Sequence, residues 1–104
     1  MTSKQRAYLK GLAMNREPVA QIGKASLTGE GLAGLEQALE ARELIKIAVL
    51  KNCDDDVRSI AEAIAEHLHA EVVQVIGRRI VLYRPARQKE KRRLVLPGSG
   101  KDPT

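Results

Sequence analysis

Apolar residues near the start of the chain recur at helical spacing. Tyr8, Leu9, Leu12 and Ala13 share one side of a helix, with Lys4, Arg6 and Lys10 on its more polar side. Ser3 precedes this pattern as a candidate N-cap, and the helix is expected to stop near Asn15. After Pro18 a short apolar run, residues 19–22, ends at Gly23 and predicts a first strand. Thr28 then caps a second helix carrying Leu32, Leu35, Ala38 and Leu39. Gly29, Gly31 and Gly34 weaken that helix by roughly 1 kcal/mol each relative to Ala, which implies close backbone packing or weak selection on stability.

Residues 44–50 form an apolar run broken only by Lys46, long enough for a central strand and too short for an independent helix. Asp54, Asp55 and Asp56 stand just before Val57, Ile60, Ala61, Ile64 and Leu68, so anionic groups meet the positive end of a third helix. Two β-branched runs, 72–76 and 80–83, flank Gly77, Arg78 and Arg79 and read as a hairpin whose glycine supplies the unusual φ. The expected fold class is α/β: a single domain in the order α-β-α-β-α-β-β with a four-stranded mixed sheet. Strands joined through helices run parallel, and the terminal hairpin is antiparallel.

The aliphatic pattern is matched by the composition of the 104 residues, which lack Trp and Phe and contain two Tyr, so platforms for stacking on bases are scarce. Cys53 is the sole cysteine and cannot form an internal disulfide, and no Cys/His cluster has the spacing of a zinc site. No apolar run has the length of a signal peptide or a membrane span, so a cytoplasmic protein without membrane association is expected.

Charge divides the chain further. Residues 1–83 balance 11 Lys/Arg against 11 Asp/Glu, whereas residues 84–104 hold seven basic groups against Glu90 and Asp102. After Pro85 the sequence turns to Arg87, Lys89, Lys91, Arg92 and Arg93 and then to Gly, Ser and Pro, so residues 1–85 are read as the domain and 86–104 as a basic, disordered tail. Within the domain, residues 1–24 carry five basic groups against Glu17, while residues 30–71 hold ten acids against four bases. A dipolar molecule with one basic end follows, suited to a polyanion.

The turn beginning at Gly23 places Lys24 directly before a helix start, combining N–H donors, a cation and a favourable dipole. It lacks both the Walker spacing and the three glycines of a dinucleotide loop, so an RNA backbone phosphate suits it better than a mononucleotide. No catalytic constellation emerges. His67 and His69 point in different directions, Cys53 lies beside aspartates that disfavour a thiolate, and acid-rich helix starts account for the carboxylates. An enzyme, a bound metal, a cofactor and a small-molecule substrate are all unexpected.

Four ordered stretches carry a family resemblance: Lys10-Gly11-Leu12-Ala13; Pro18-Val19-Ala20-Gln21-Ile22-Gly23-Lys24; Glu43-Leu44-Ile45-Lys46; and Val75-Ile76-Gly77 followed by Val81-Leu82-Tyr83-Arg84. In residues, order and spacing the chain resembles the CRM-domain family of bacterial YhbY-like RNA-binding proteins from Ser3 to Pro85. The resemblance implies a fold similar to the C-terminal domain of bacterial translation initiation factor three. It also implies ribosomal RNA and precursors of the large ribosomal subunit as partners. The family's RNA-contacting loop resembles the GxxG loop of KH domains, and here it reads Gly23-Lys24-Ala25-Ser26. Ser26 replaces the second glycine, at a cost on the order of 1 kcal/mol if the position is left-handed. Arg42 stands where the family usually has His.

The candidate RNA-contacting residues are therefore Lys10, the turn residues Gly23, Lys24, Ala25 and Ser26, the cap Thr28, and the hairpin arginines Arg78 and Arg79. Arg84 and the tail residues Arg87, Lys89, Lys91, Arg92 and Arg93 complete the set. Lys4 and Arg6 extend the basic face or are simply solvated, and Tyr83 is read as core. An alternative function, an adaptor docking a basic partner through its acidic second and third helices, is motivated by the ten acids between residues 30 and 71.

Overall fold

Thr2, not Ser3, caps the first helix, α1 (Ser3–Ala13). Its hydroxyl accepts from Gln5 N–H at 3.1 Å, while Gln5 Oε1 accepts from Thr2 N–H at 3.0 Å. Ser3 becomes the first helical residue because only Thr2 has a Gln three places on to complete the reciprocal pair. The computed structural model describes residues 1–97, and along them follow β1 (Ala20–Ile22), α2 (Gly29–Arg42), β2 (Leu44–Val49), α3 (Val57–Leu68), β3 (Glu71–Ile76) and β4 (Arg79–Tyr83). Thr28 caps α2 by accepting from Gly31 N–H, and Asp56 caps α3 by accepting from Ser59 N–H, each at 3.0 Å. Gly77 takes φ +57° in the hairpin turn, as the sequence requires.

The four strands form one mixed sheet in the order β1-β2-β4-β3. β1 runs parallel to β2 with Ile22 opposite Val49, and β4 lies antiparallel to both neighbours with Ala48 and Ile76 opposite Arg79. The hairpin thus inserts β4 between β2 and the strand that α3 delivers. β3 is an edge strand with a register shift between Val72 and Gln74. Arg6 donates from Nη1 to the carbonyls of Val72 and Val73 at that irregularity, which occupies acceptors that an open edge would otherwise present.

Two cores lie on the two faces of the sheet. On one face Ile45, Ile47 and Val49 of β2 pack with Leu35 and Leu39 of α2 and with Ile60, Ala61, Ile64 and Leu68 of α3. On the other, Leu44, Val73, Val81 and Tyr83 pack under Leu9 and Ala13 of α1. Burial on both faces explains why β2 reads as a nearly continuous apolar run. Tyr83, 7% exposed, is core, as expected.

The expectation of a disordered tail from residue 86 differs from the structure as far as Pro97. Ala86 is fully buried, Lys89–Lys91 form a 3₁₀ turn, and Leu94 and Leu96 pack against the α1-side core. The physical reason is a set of acceptors that a composition count does not reveal. Glu43 Oε2 accepts from Ala86 N–H at 2.8 Å, and Glu43 Oε1 accepts from the N–H groups of Arg93 and Leu94 at 2.7 and 2.9 Å. Glu40 accepts from Arg87 N–H at 2.8 Å and Gln88 N–H at 3.1 Å, and Gln5 donates to Pro97 O at 3.2 Å. Residues 86–97 form a strap over the domain, and residues 98–104 of the expected tail lie outside the described residues.

Candidate nucleic-acid interface

The sheet register decides which basic residues meet. Ile22, Val49, Arg79 and Ile76 lie in adjoining end positions of their strands, so the 23–26 turn, the turn after β2 and the β3-β4 hairpin share one end of the sheet. Arg78 knits this end together by donating from Nε to Val49 O at 3.1 Å and from Nη2 to Leu50 O at 2.7 Å and Cys53 O at 3.3 Å. Its guanidinium is thereby a brace for the turn after β2, and Arg79 is the exposed arginine of the pair.

The 23–26 turn closes through Ser26 N–H donating to Gly23 O at 2.9 Å. Ser26 has φ +58°, the left-handed conformation that made its substitution for glycine costly in prospect. A Cβ on Gly23 would stand 3.4 Å from Asn52 Oδ1 and 3.6 Å from Leu50 Cδ1, so the turn lies in ordinary contact distance of the loop after β2. Lys24 and Ala25 are exposed. The phosphate-receptive character of this turn is tempered on one side, because the Ser26 hydroxyl donates a short hydrogen bond to Asp55. The cap also takes one first-turn donor of α2, since Gly31 N–H is bonded to Thr28.

On the α1 side of this end, α1 and the strap leave part of the sheet uncovered. A cleft of about 330 Å³ opens there, lined by Lys10 and Met14 of the α1 end, Lys46 of β2, Gln74 and Ile76 of β3, and Arg79 of β4. Lys46 also lines a neighbouring cleft of about 460 Å³ with Arg16, Glu17 and Arg42. Arg16 is partly committed, donating to Leu44 O at 2.8 Å. Among the described residues, Lys10, Lys46 and Arg79 form no ion pair, and Lys10 and Arg79 are exposed while Lys46 is half-buried.

Arg84 must be removed from the candidate contacts. It is 5% exposed and donates from Nη1 to Glu36 at 3.0 Å and Leu68 O at 3.1 Å, and from Nη2 to Glu40 at 3.3 Å. A buried guanidinium needs such partners, and these fix it inside the domain rather than toward a ligand. Arg87 is also engaged, 3.5 Å from Glu36, though it remains largely exposed. Arg92 donates from Nε to Ala86 O at 2.7 Å, while the side chains of Lys89, Lys91 and Arg93 are exposed.

These carboxylates are held ionised. A hydrogen bond from Arg84 lowers the Glu36 pKa, and backbone N–H donors from Arg87 and Gln88 lower that of Glu40. Burial alone would raise the Glu43 carboxyl, but the N–H groups of Arg93, Ala86 and Leu94, with Arg92 nearby, bring it below the usual range. Glu43 sits at φ +66° at the end of α2, where the strap bonds secure it. The strap therefore places its cations beside Leu44 and Tyr83, at the opposite end of the sheet from the hairpin. Two basic zones result where the sequence suggested one surface.

The model of the CRS1 / YhbY (CRM) domain matches residues 1–84. The chain belongs to this CRM family. It is 39% identical over 97 residues to Probable RNA-binding protein YqeI of Bacillus subtilis, covering 93% of this chain and 99% of the relative. A Haemophilus influenzae relative named RNA-binding protein is also 39% identical over 97 residues, covering 93% and 95% of the two chains. The solution structure of hypothetical protein SAV1595 from Staphylococcus aureus superposes with a TM-score of 0.74 at 41% identity, covering 91% of this chain and 99% of that one.

Within this CRM domain, Lys46, Met14 and Ile76 line the cleft but were not among the residues the sequence singled out. The signal for Lys46 was present, since a lone lysine in a strand buried on both faces must have an opening to solvent. Nothing in the local pattern marked Met14 or Ile76, whose exposure depends on where α1 ends above the sheet.

Proposed function

We propose that this CRM domain binds structured ribosomal RNA in the cytoplasm and assists assembly of the large ribosomal subunit. Recognition rests chiefly on phosphate and shape contacts. The observation that carries the reading is the convergence of Lys10, Lys46 and Arg79 on one cleft, at the sheet end that also bears the 23–26 turn with Lys24. The names of the relatives supply RNA as the polyanion, and the family resemblance supplies the ribosomal setting. The strap cations Lys89, Lys91 and Arg93 extend the footprint with nonspecific phosphate contacts. Docking of a basic protein through α2 finds less support, because Glu36, Glu40 and Glu43 are spent on Arg84, Arg87 and the strap backbone.

Crosslinking in cells followed by sequencing of the bound RNA tests the assignment. Reads concentrated in one region of large-subunit ribosomal RNA are expected, and reads scattered over unrelated transcripts would overturn the assembly role. In vitro, Lys24→Gln and Arg79→Gln should each reduce the slope of log K against log salt by roughly one, the loss of one phosphate contact. An unchanged slope removes that residue from the interface.

A further inference from the structure

The cleft beside β4 has a composition that phosphate binding alone does not require. Its lining brings the cations Lys10, Lys46 and Arg79 together with Gln74 and with Met14 and Ile76, which are 75% and 59% exposed. Exposed apolar side chains in one cleft with positive charge suit a ligand that is apolar on its face and anionic along its edge. In a paired RNA helix the base faces are stacked on one another, and a protein meets only base edges, 2′-hydroxyls and phosphates. An unpaired base presents its flat face. Such a face packs favourably against aliphatic carbon and against a methionine sulfur, and a guanidinium stacks on it as well.

We propose that this cleft holds one unpaired nucleotide of the bound RNA. Its base lies on Met14 and Ile76, Gln74 bonds the base edge, and Lys10, Lys46 and Arg79 hold the flanking phosphates. The site compensates for the missing aromatic platform, since Tyr83 is buried in the core and Tyr8 is not among the lining residues. Leu9 and Ala13 pack with Leu44 and Tyr83 on this face, Ala13 also borders the cleft, and Met14 follows it into the opening. The proposal rests on the RNA-binding reading and adds to it a preference for a bulged or looped nucleotide over continuous duplex.

The test compares two hairpin RNAs, identical except that one carries a single-nucleotide bulge, binding to the full chain, Ile76→Ser, Met14→Ser and Lys46→Gln. Both apolar side chains are largely exposed, so these variants should fold, which circular dichroism and thermal melting verify. The full chain should bind the bulged RNA about fivefold more tightly, within the range that contact of a methionine sulfur with an aromatic face supplies. Ile76→Ser and Met14→Ser should each remove most of that preference while leaving affinity for the paired hairpin and its salt slope unchanged. Lys46→Gln should lower the salt slope by roughly one for both RNAs. Equal binding of the two hairpins by the full chain overturns the unpaired-nucleotide site while sparing RNA binding. An undiminished preference in Ile76→Ser overturns that site as well, and the cleft then serves another partner such as an acidic protein segment. Failure of both RNAs to bind would overturn the proposed function itself.

Discussion

Ser26 holds a left-handed backbone at φ +58° that a glycine would adopt freely, and it gains in exchange a hydroxyl donated to Asp55. Left-handed φ costs a non-glycine residue roughly 1 kcal/mol, and a hydrogen bond to a charged, partly solvated acceptor returns a similar amount. Ser26→Gly alone should therefore shift stability by less than about 0.5 kcal/mol. The two effects separate in combination. With Asp55→Ala already in place the bond is gone, and Ser26→Gly should then stabilise by about 1 kcal/mol in urea denaturation. A destabilising effect in that background would show that the turn does not strain Ser26. At the same scale, Arg84 illustrates what a sequence conceals. The sequence counted it among the RNA contacts, yet Glu36 and Glu40, more than 40 residues earlier, take both of its Nη groups.

Helix α2 carries glycines at 29, 31 and 34, which lower its helix propensity. Close packing does not account for all three: a Cβ would meet nothing within 4 Å at Gly29 or Gly34, and only the Thr28 hydroxyl, at 3.1 Å, at Gly31. Gly34 is exposed in the helix interior, so Gly34→Ala should stabilise the protein by roughly 0.5–1 kcal/mol. Unchanged or lower stability in chemical denaturation would show that Gly34 faces a constraint beyond its own helix. The elements themselves were legible because each carries its own local signal: the three aspartates before α3, the Thr28 cap, the apolar run of β2, the glycine of the hairpin. Thr2 was misread for the same local reason in reverse, since the choice between adjacent Thr and Ser turned on the Gln5 side chain. What no local signal gives is the insertion of β4 between β2 and β3.

At the scale of the whole molecule the sheet separates two basic ends, and the strap accounts for one of them. Composition placed residues 86–104 outside the domain because their charge suggested solvation, but Glu43 supplies buried acceptors for the strap backbone through bonds spanning 43 to 51 residues. This attachment must respond to acid. The Glu43 carboxyl is held below its usual value, so its stabilising contribution is complete above the unfolded-state pKa of about 4.3 and is lost as pH falls through the depressed folded value. Glu36 and Glu40 shift in the same direction and act in the same window. Lowering the pH below about 4 should therefore release the strap before the two cores unfold, because the residues packed in those cores include no carboxylate. Glu43→Gln should reproduce the release at neutral pH, since an amide keeps one acceptor and presents donors where the strap also offers donors, at a cost of about 1–3 kcal/mol. Hydrogen exchange reads this directly. The amides of Ala86, Arg93 and Leu94 should lose protection in Glu43→Gln while those of β2 and β4 keep most of theirs, and retained protection at Arg93 and Leu94 would mean that apolar packing of Leu94 and Leu96, not the carboxylate, holds the strap.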